Sequence, residues 1–464
     1  MNLLTIQKND IIEVKIEKLL YEGKGLARVN NFPIFIENVC PDDIVKIQIV
    51  KINKGYAIGN VLEIVSPSKF RVKPLCALHN VCGSCNWLYI DYDEQLNQKR
   101  NIVKETLKNI SGLDLDVNEV IPSPLTKEYR CKVQYPVAQT KVSKRLLAGY
   151  YKKNSHELIN IKFCHLHAPI ISEILEFIKV QAQNIGLIAY DEKKHSGILR
   201  HIIFRNPSDK LSLFIIFVIN SNNIPKEIYK LSEIIKNKYP IITGISANFN
   251  TKKSNVILGN NTKTIYGDNF YIENLDGISY RISANSFFQV NPYCAKLIFN
   301  KVKEFIKNNY NEKPTVLDAY SGVSSFGIWL SDISSKVICV EEAPSSSYDA
   351  FENIKLNNIS NVEIYNGDAA NKFEEFIKQK TKFDVSIVDP PRKGCTDESI
   401  NNLVKLTKDF IIYVSCNVST LARDIKELQK HDYKPIFIQP FDMFPNTYHI
   451  ETLAILKKIK KEAI

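Results

Sequence analysis

No apolar run of about eighteen residues occurs anywhere in the sequence, so a membrane-spanning helix is not expected. Met1 to Asp10 lacks the apolar stretch of a secretory signal, and the protein is expected in the cytoplasm. Internal repeats and low-complexity tracts are also missing. The ten cysteines are unevenly spaced, and in a cytoplasmic chain of this size they are not expected to form a disulfide framework. What remains is 464 residues with 44% hydrophobic content, enough for two or three domains with real cores.

Charge is biased to one sign. The formal net charge is +11 and the isoelectric point is near 8.9, a moderate bias towards polyanions. Leu125 to Phe163 concentrates it, with nine Lys/Arg against two acids and with Tyr129, Tyr135, Tyr150 and Tyr151 interleaved. Backbone contacts plus base stacking need that mixture, so a nucleic acid is the expected partner.

Residues 1–66 read as short strands over 11–16, 32–36, 44–49 and 56–64, with turns at Glu22-Gly23-Lys24-Gly25 and Pro41-Asp42-Asp43. That spacing predicts a small β-barrel of the OB-like kind that binds oligonucleotides. Ser66-Pro67-Ser68 reads as a linker. Residues 67–283 are expected to form a mixed α/β domain, with helices over 170–184 and 226–239 and strands over 198–204 and 211–219. Cys76, Cys82 and Cys85 lie in it at C-x5-C-x2-C, with Cys164 far downstream. Four thiolates suit either zinc or a [4Fe–4S] cluster; the second C-x2-C knuckle of a zinc ribbon is missing, which favours the cluster. Residues 284–464 alternate strand and helix as a doubly wound, Rossmann-like sheet, and Lys457 to Ile464 is expected to be a basic helical tail.

In this last third polar residues collect at strand ends. The strand over 315–320 runs into Ser321-Gly322-Val323-Ser324-Ser325-Phe326-Gly327, and later strands end at Glu341, Asp368 and Asp389. An acid about twenty residues past the turn can accept hydrogen bonds from a ribose. Ser324 stands where a dinucleotide fingerprint has its middle glycine, so close approach to a diphosphate is disfavoured. S-adenosylmethionine, with ribose, adenine and a cationic sulfonium, suits the acids and the face of Tyr320 better.

Two further strand ends carry reactive groups: Asp389-Pro390-Pro391-Arg392-Lys393-Gly394 and Ser415-Cys416-Asn417. Both are expected to face one cleft. A methyl donor, an acid and a thiol together suit a pyrimidine ring carbon. C5 is a poor nucleophile until a cysteine adds to C6, and a base must then remove the C5 proton. Glu451 and His449 fall on one side of an extended segment, so either can serve.

The segment from Asp389 to Gly394, a sixteen-residue interval, and Ile411-Ile412-Tyr413-Val414-Ser415-Cys416-Asn417-Val418-Ser419-Thr420 together resemble the signature of the RNA (uracil-5-)-methyltransferase family. Phe441-Asp442-Met443-Phe444-Pro445 through His449-Ile450-Glu451 resembles its second signature, and Ser286-Phe287-Phe288-Gln289-Val290-Asn291 a third segment. The cysteine quartet resembles that of the family's iron–sulfur members, and the N-terminal barrel is similar to a TRAM domain. The fold this implies is multidomain α/β: a TRAM barrel, a central α/β domain with a cluster, and a class I methyltransferase domain. The resemblance implies Cys416 as nucleophile, Glu451 as base, and Gln289, Tyr320, Glu341, Asp368 and Asp389 around S-adenosylmethionine. It implies Cys76, Cys82, Cys85 and Cys164 on a [4Fe–4S] cluster, Phe287 stacked on a flipped base, and Arg130 and Lys132 on RNA. A monomer acting on 23S ribosomal RNA is the expected form. Ser324 and Asn446 depart from the family pattern. Alternatives are an iron–sulfur RNA-binding protein with a decayed methyltransferase domain, a transfer-RNA enzyme, and an amino-methyltransferase built on Asp389-Pro-Pro.

Overall fold

The computed structural model describes residues 6–153 and 155–459. Alternating burial builds the first sheet. In Ile44–Asn53, Val45, Ile47 and Ile49 point inward while Lys46 and Lys51 face solvent, as a half-buried strand requires. Six strands lie in the order Ile11–Lys15, Ile44–Asn53, Tyr56–Ser66, Phe32–Ile36, Gly25–Val29, Lys18–Leu19. The linker after it is pinned. Buried Asp43 accepts from Ser68 N at 2.9 Å and from Arg71 Nε at 2.8 Å and Nη2 at 2.7 Å, a charge-assisted fork that holds this sheet to the chain beyond.

The helix Tyr92–Ser111 starts at Asp91, whose side chain caps Asp93 N, and stops at Gly112 with φ of 76°, a left-handed exit that glycine adopts without strain. Its apolar face, Ile102, Val103 and Leu107, joins the core of the last third with Leu317, Val388, Leu421 and Ile425. A second sheet of seven strands runs from Lys132 to Gly267, covered on one face by the helices Pro169–Asn184 and Lys226–Lys238. Its strand Leu213–Ile219 is buried throughout.

The third sheet has the order Val362–Asn366, Lys336–Glu341, Thr315–Ala319, Phe383–Val388, Thr407–Ser415, Glu451–Lys458, Tyr433–Phe441. The first five strands are mutually parallel, and Glu451–Lys458 inserts antiparallel between its neighbours. The order reverses between Thr315–Ala319 and Phe383–Val388, which opens a crevice at their carboxyl ends. Lys457 and Lys458 end the last strand rather than forming a helix; the β-branched and aliphatic run Thr452 to Leu456 before them pairs on both edges and carries the strand to their position. The rest of the expected tail, 460–464, lies outside the described residues. Among the described residues no helix is long and apolar enough to cross a membrane.

Candidate active site

Strand register brings the two reactive motifs together. Ser415 lies opposite Thr452, and Phe441 opposite Glu451. The next residue beyond Ser415, Cys416, therefore emerges beside the first residue of the partner strand, Glu451. Only an antiparallel insertion does this, because it puts an amino-terminal strand end among the carboxyl ends of parallel strands.

Cys416 is half-buried on a tight turn in which Asn417 N donates to Ser415 Oγ at 3.1 Å. Asn417 caps the helix Val418–Gln429, its Oδ1 accepting from Ser419 N at 3.0 Å, while its Nδ2 donates to the Arg392 carbonyl at 3.1 Å. The turn and the Asp389–Gly394 loop are thus one unit. Burial, then Glu451 and Asp389, push the Cys416 thiol up to about 11, with Arg392 opposing. Glu451 is 3% exposed; burial first and Asp389 second hold its carboxyl well above the usual range, against Arg392. Burial raises Asp389 to about 7, and Gln289, whose Nε2 donates to Oδ2 at 3.3 Å, pulls the other way. These groups share one low-dielectric site in which acidic groups outnumber the single cation Arg392, so a cationic ligand would favour their ionised forms. His449, against the ring of Tyr448, is lowered to about 4, chiefly by burial, and is neutral at pH 7.

The neighbouring strand ends carry further acids and a tight turn. Gly322 N donates to Glu341 Oε2 at 2.8 Å, and Ala343 N to Oε1 at 2.8 Å, which fixes the carboxylate at its strand end with lone pairs to spare. Asp368 is exposed and caps the next helix, accepting from Asn371 N at 3.2 Å. Tyr320 is half-buried, and its φ of 61° and that of Ser324, 64°, are left-handed, strained values for residues with a Cβ. The Ser324 hydroxyl is absorbed by Cys339, 3.0 Å away, so this departure from glycine leaves the turn intact. Asp318 escaped notice in the sequence. It is 1% exposed, burial raises it to about 7, Oδ2 accepts from Gly327 N at 2.9 Å, and Oδ1 has no hydrogen-bond partner among the described residues. The available signal was an acid in the middle of an apolar strand.

Phe287 projects into solvent at 56% exposure. Its loop is held from below by Arg205, whose Nη2 donates to the carbonyls of Ala284 at 2.9 Å and Ser286 at 2.6 Å. Arg130 and Lys132 are not brought to an open face. Arg130 lies over the ring of Tyr129, its Nε buried without a hydrogen-bond partner among the described residues; Lys132 pairs with Arg205 in the adjacent strand, and burial with that like charge lowers it to about 7. Both are only partly exposed: Arg130 precedes the strand Lys132–Gln139, and Lys132 lies on the face opposite buried Val133 and Tyr135.

Cys76, Cys82, Cys85 and Cys164 line one cavity of about 40 Å³, walled by Leu75, Leu78, Leu88 and Phe163. All four are free thiols. Among the described residues, no three His, Cys, Asp or Glu side chains are grouped as ligands of a single ion.

Asn446, the second departure, has φ of 65°, a conformation asparagine tolerates. Its backbone N donates to Gln95 Oε1 at 2.9 Å, and its Nδ2 donates to Thr126 O at 3.1 Å. Nearby, Lys99 and Asp442 form an ion pair of 2.5 Å with both side chains fully buried. Replacing Lys99 with alanine strands a buried carboxylate, and an expected loss of about 3–5 kcal/mol follows; urea unfolding of the variant against wild type measures it, and a shift under about 1 kcal/mol refutes it.

Comparison with known proteins agrees with this geometry. A family model described as tRNA (Uracil-5-)-methyltransferase matches residues 91–459, and a TRAM domain model matches residues 7–62. An uncharacterized RNA methyltransferase of Bacillus cereus is 35% identical, with 98% of each chain covered. One from Clostridium acetobutylicum is 33% identical, with 99% of each covered. The crystal structure of Pyrococcus abyssi tRNA (uracil-54, C5)-methyltransferase in complex with S-adenosyl-L-homocysteine superposes with a TM-score of 0.74 at 27% identity, covering 96% of this chain and 100% of that one. On the family match and on relatives aligned along its whole length, the chain belongs to the tRNA (uracil-5-)-methyltransferase family.

Proposed function

We propose that this protein methylates C5 of a uridine in ribosomal RNA through a covalent bond between Cys416 and C6, giving 5-methyluridine. The meeting of Cys416, Glu451 and Asp389 at one strand-end crevice carries the reading. In it Cys416 adds to C6 and electron density moves to C5, Glu451 takes the C5 proton, and Gln289 orients Asp389. S-adenosylmethionine, when bound, supplies the methyl group; Glu341, Asp368, Asp389, Tyr320 and Gln289 are the residues that would hold it. Phe287 stacks on the extruded base, and the N-terminal TRAM domain contributes RNA affinity.

A [4Fe–4S] cluster on Cys76, Cys82, Cys85 and Cys164 is part of the proposal. Four thiols lining one apolar-walled cavity are the donor set that would hold it. Methyl transfer needs no redox step, so its role here is structural. The decayed-enzyme reading loses its support, because Ser324 is accommodated. An amino-methyltransferase leaves Cys416 and Glu451 without work. Transfer RNA is the competing substrate, favoured by the Pyrococcus abyssi neighbour.

Nucleoside mass spectrometry of ribosomal and transfer RNA from a strain lacking the gene tests the proposal. Loss of 5-methyluridine from ribosomal RNA is expected. Loss from transfer RNA alone overturns the substrate, and loss from neither overturns the activity.

A further inference from the structure

The sharpest contact between distant parts of the chain ends beside the nucleophile. The Tyr21 hydroxyl, on the first sheet's domain, donates to Asn417 Oδ1 at 2.9 Å across 396 positions of sequence. Asn417 follows Cys416 and already joins two elements: its Oδ1 caps a helix and its Nδ2 holds the Arg392 carbonyl. Tyr21 makes it a junction of three.

The turn that presents Tyr21 is strained and wedged. Glu22 has φ of 66° and Gly23 of 77°, and a Cβ at Gly23 would lie 2.9 Å from both Trp87 Nε1 and Tyr448 Cδ1. Non-glycine strain of this kind persists only where surrounding contacts enforce it. On its other side the turn borders a cleft of about 780 Å³, where Glu22 and Lys24 face Tyr151, Lys152, Lys153 and Tyr448. Lys24, Lys152 and Lys153 are paired there with Glu22, Glu157 and Glu37, and the tyrosine faces between them suit stacking of single-stranded bases. Burial and Glu22 raise the Tyr21 hydroxyl, so it remains a donor at neutral pH.

We infer that Tyr21 is a positioning residue: its hydroxyl ties the RNA-facing turn of the N-terminal domain to Asn417 and so sets the orientation of the Cys416 turn. The inference rests on the proposed role of Cys416. Asn417 keeps its two backbone donors without Tyr21, so the fold does not depend on the bond; the aim of the thiol does.

Tyr21→Phe removes only the hydroxyl. Its kcat and its rate of adduct formation with 5-fluorouridine RNA are expected to fall about five- to tenfold, the worth of one hydrogen bond. KM for S-adenosylmethionine, RNA affinity and melting temperature stay unchanged. In an Asn417→Ala background the same change is expected to add nothing, the signature of a shared pathway. An unaltered kcat, or a rise in RNA Kd alone, overturns positioning; the second result makes Tyr21 an RNA contact. A wild-type enzyme that is active but forms no adduct instead overturns the role of Cys416, which separates the two failures.

Discussion

Cys416→Ala is expected to abolish methyl transfer, by about 10⁴-fold or more, and the covalent RNA complex with it. That loss corresponds to about 5 kcal/mol of barrier, since without a C6 adduct the C5 carbon has no enolate character with which to attack a methyl group. The fold is expected to stay within about 1 kcal/mol of wild type, because Cys416 is half-buried on a turn, unlike the core residues Cys294 and Cys339. The adduct is read on a denaturing gel with 5-fluorouridine RNA. Persistent turnover in the alanine variant would sink the nucleophile assignment.

The raised thiol adds a pH signature. With its value near 11, the free enzyme at pH 7 holds about one thiolate in ten thousand. The reactive form is the deprotonated one, so adduct formation is expected to rise with pH across the neutral and mildly alkaline range. Arg392 works against burial, Glu451 and Asp389 here. Removing its charge therefore pushes the thiol higher still and slows the step at any fixed pH.

Glu451→Gln is expected to have a different outcome, with the methylated adduct forming and accumulating. The amide has the size of the acid but cannot take the C5 proton, so the C5–H bond persists, the C6–S bond has no route to break, and turnover falls by about 10²–10⁴-fold. Burial and Asp389 keep the native carboxyl protonated to higher pH than an exposed glutamate. Its basic form grows as pH rises, so kcat also has a rising limb. Intact-mass spectrometry of the protein–RNA species measures the accumulation. Normal turnover in the variant would transfer the base role to His449, which burial keeps neutral and able to accept a proton.

Much of this was legible in the chain. Strand–helix alternation after Thr315 placed Glu341, Asp368 and Asp389 at strand ends, and each stands there. Apolar runs marked Leu213–Ile219 and the helix Pro169–Asn184 to within two residues. Burial was less legible. Arg130 and Lys132 are only partly exposed, because Arg130 packs on the ring of Tyr129 and Lys132 pairs with Arg205 in the neighbouring strand. Asp318 was hidden by its apolar strand, and Arg205 by distance from the loop it supports.

The sequence by itself determined which groups are candidates for the chemistry: the thiol, the acids and the glycine-bearing turn are local motifs, and local patterning of strand ends is enough to expose them. Tertiary structure alone decided which of these groups act together. Cys416 meets Glu451 because an antiparallel strand inserts in a particular register, and Tyr21 meets Asn417 because the first sheet docks against the last. Register and docking are set by long-range packing of buried faces, which no window along the chain contains.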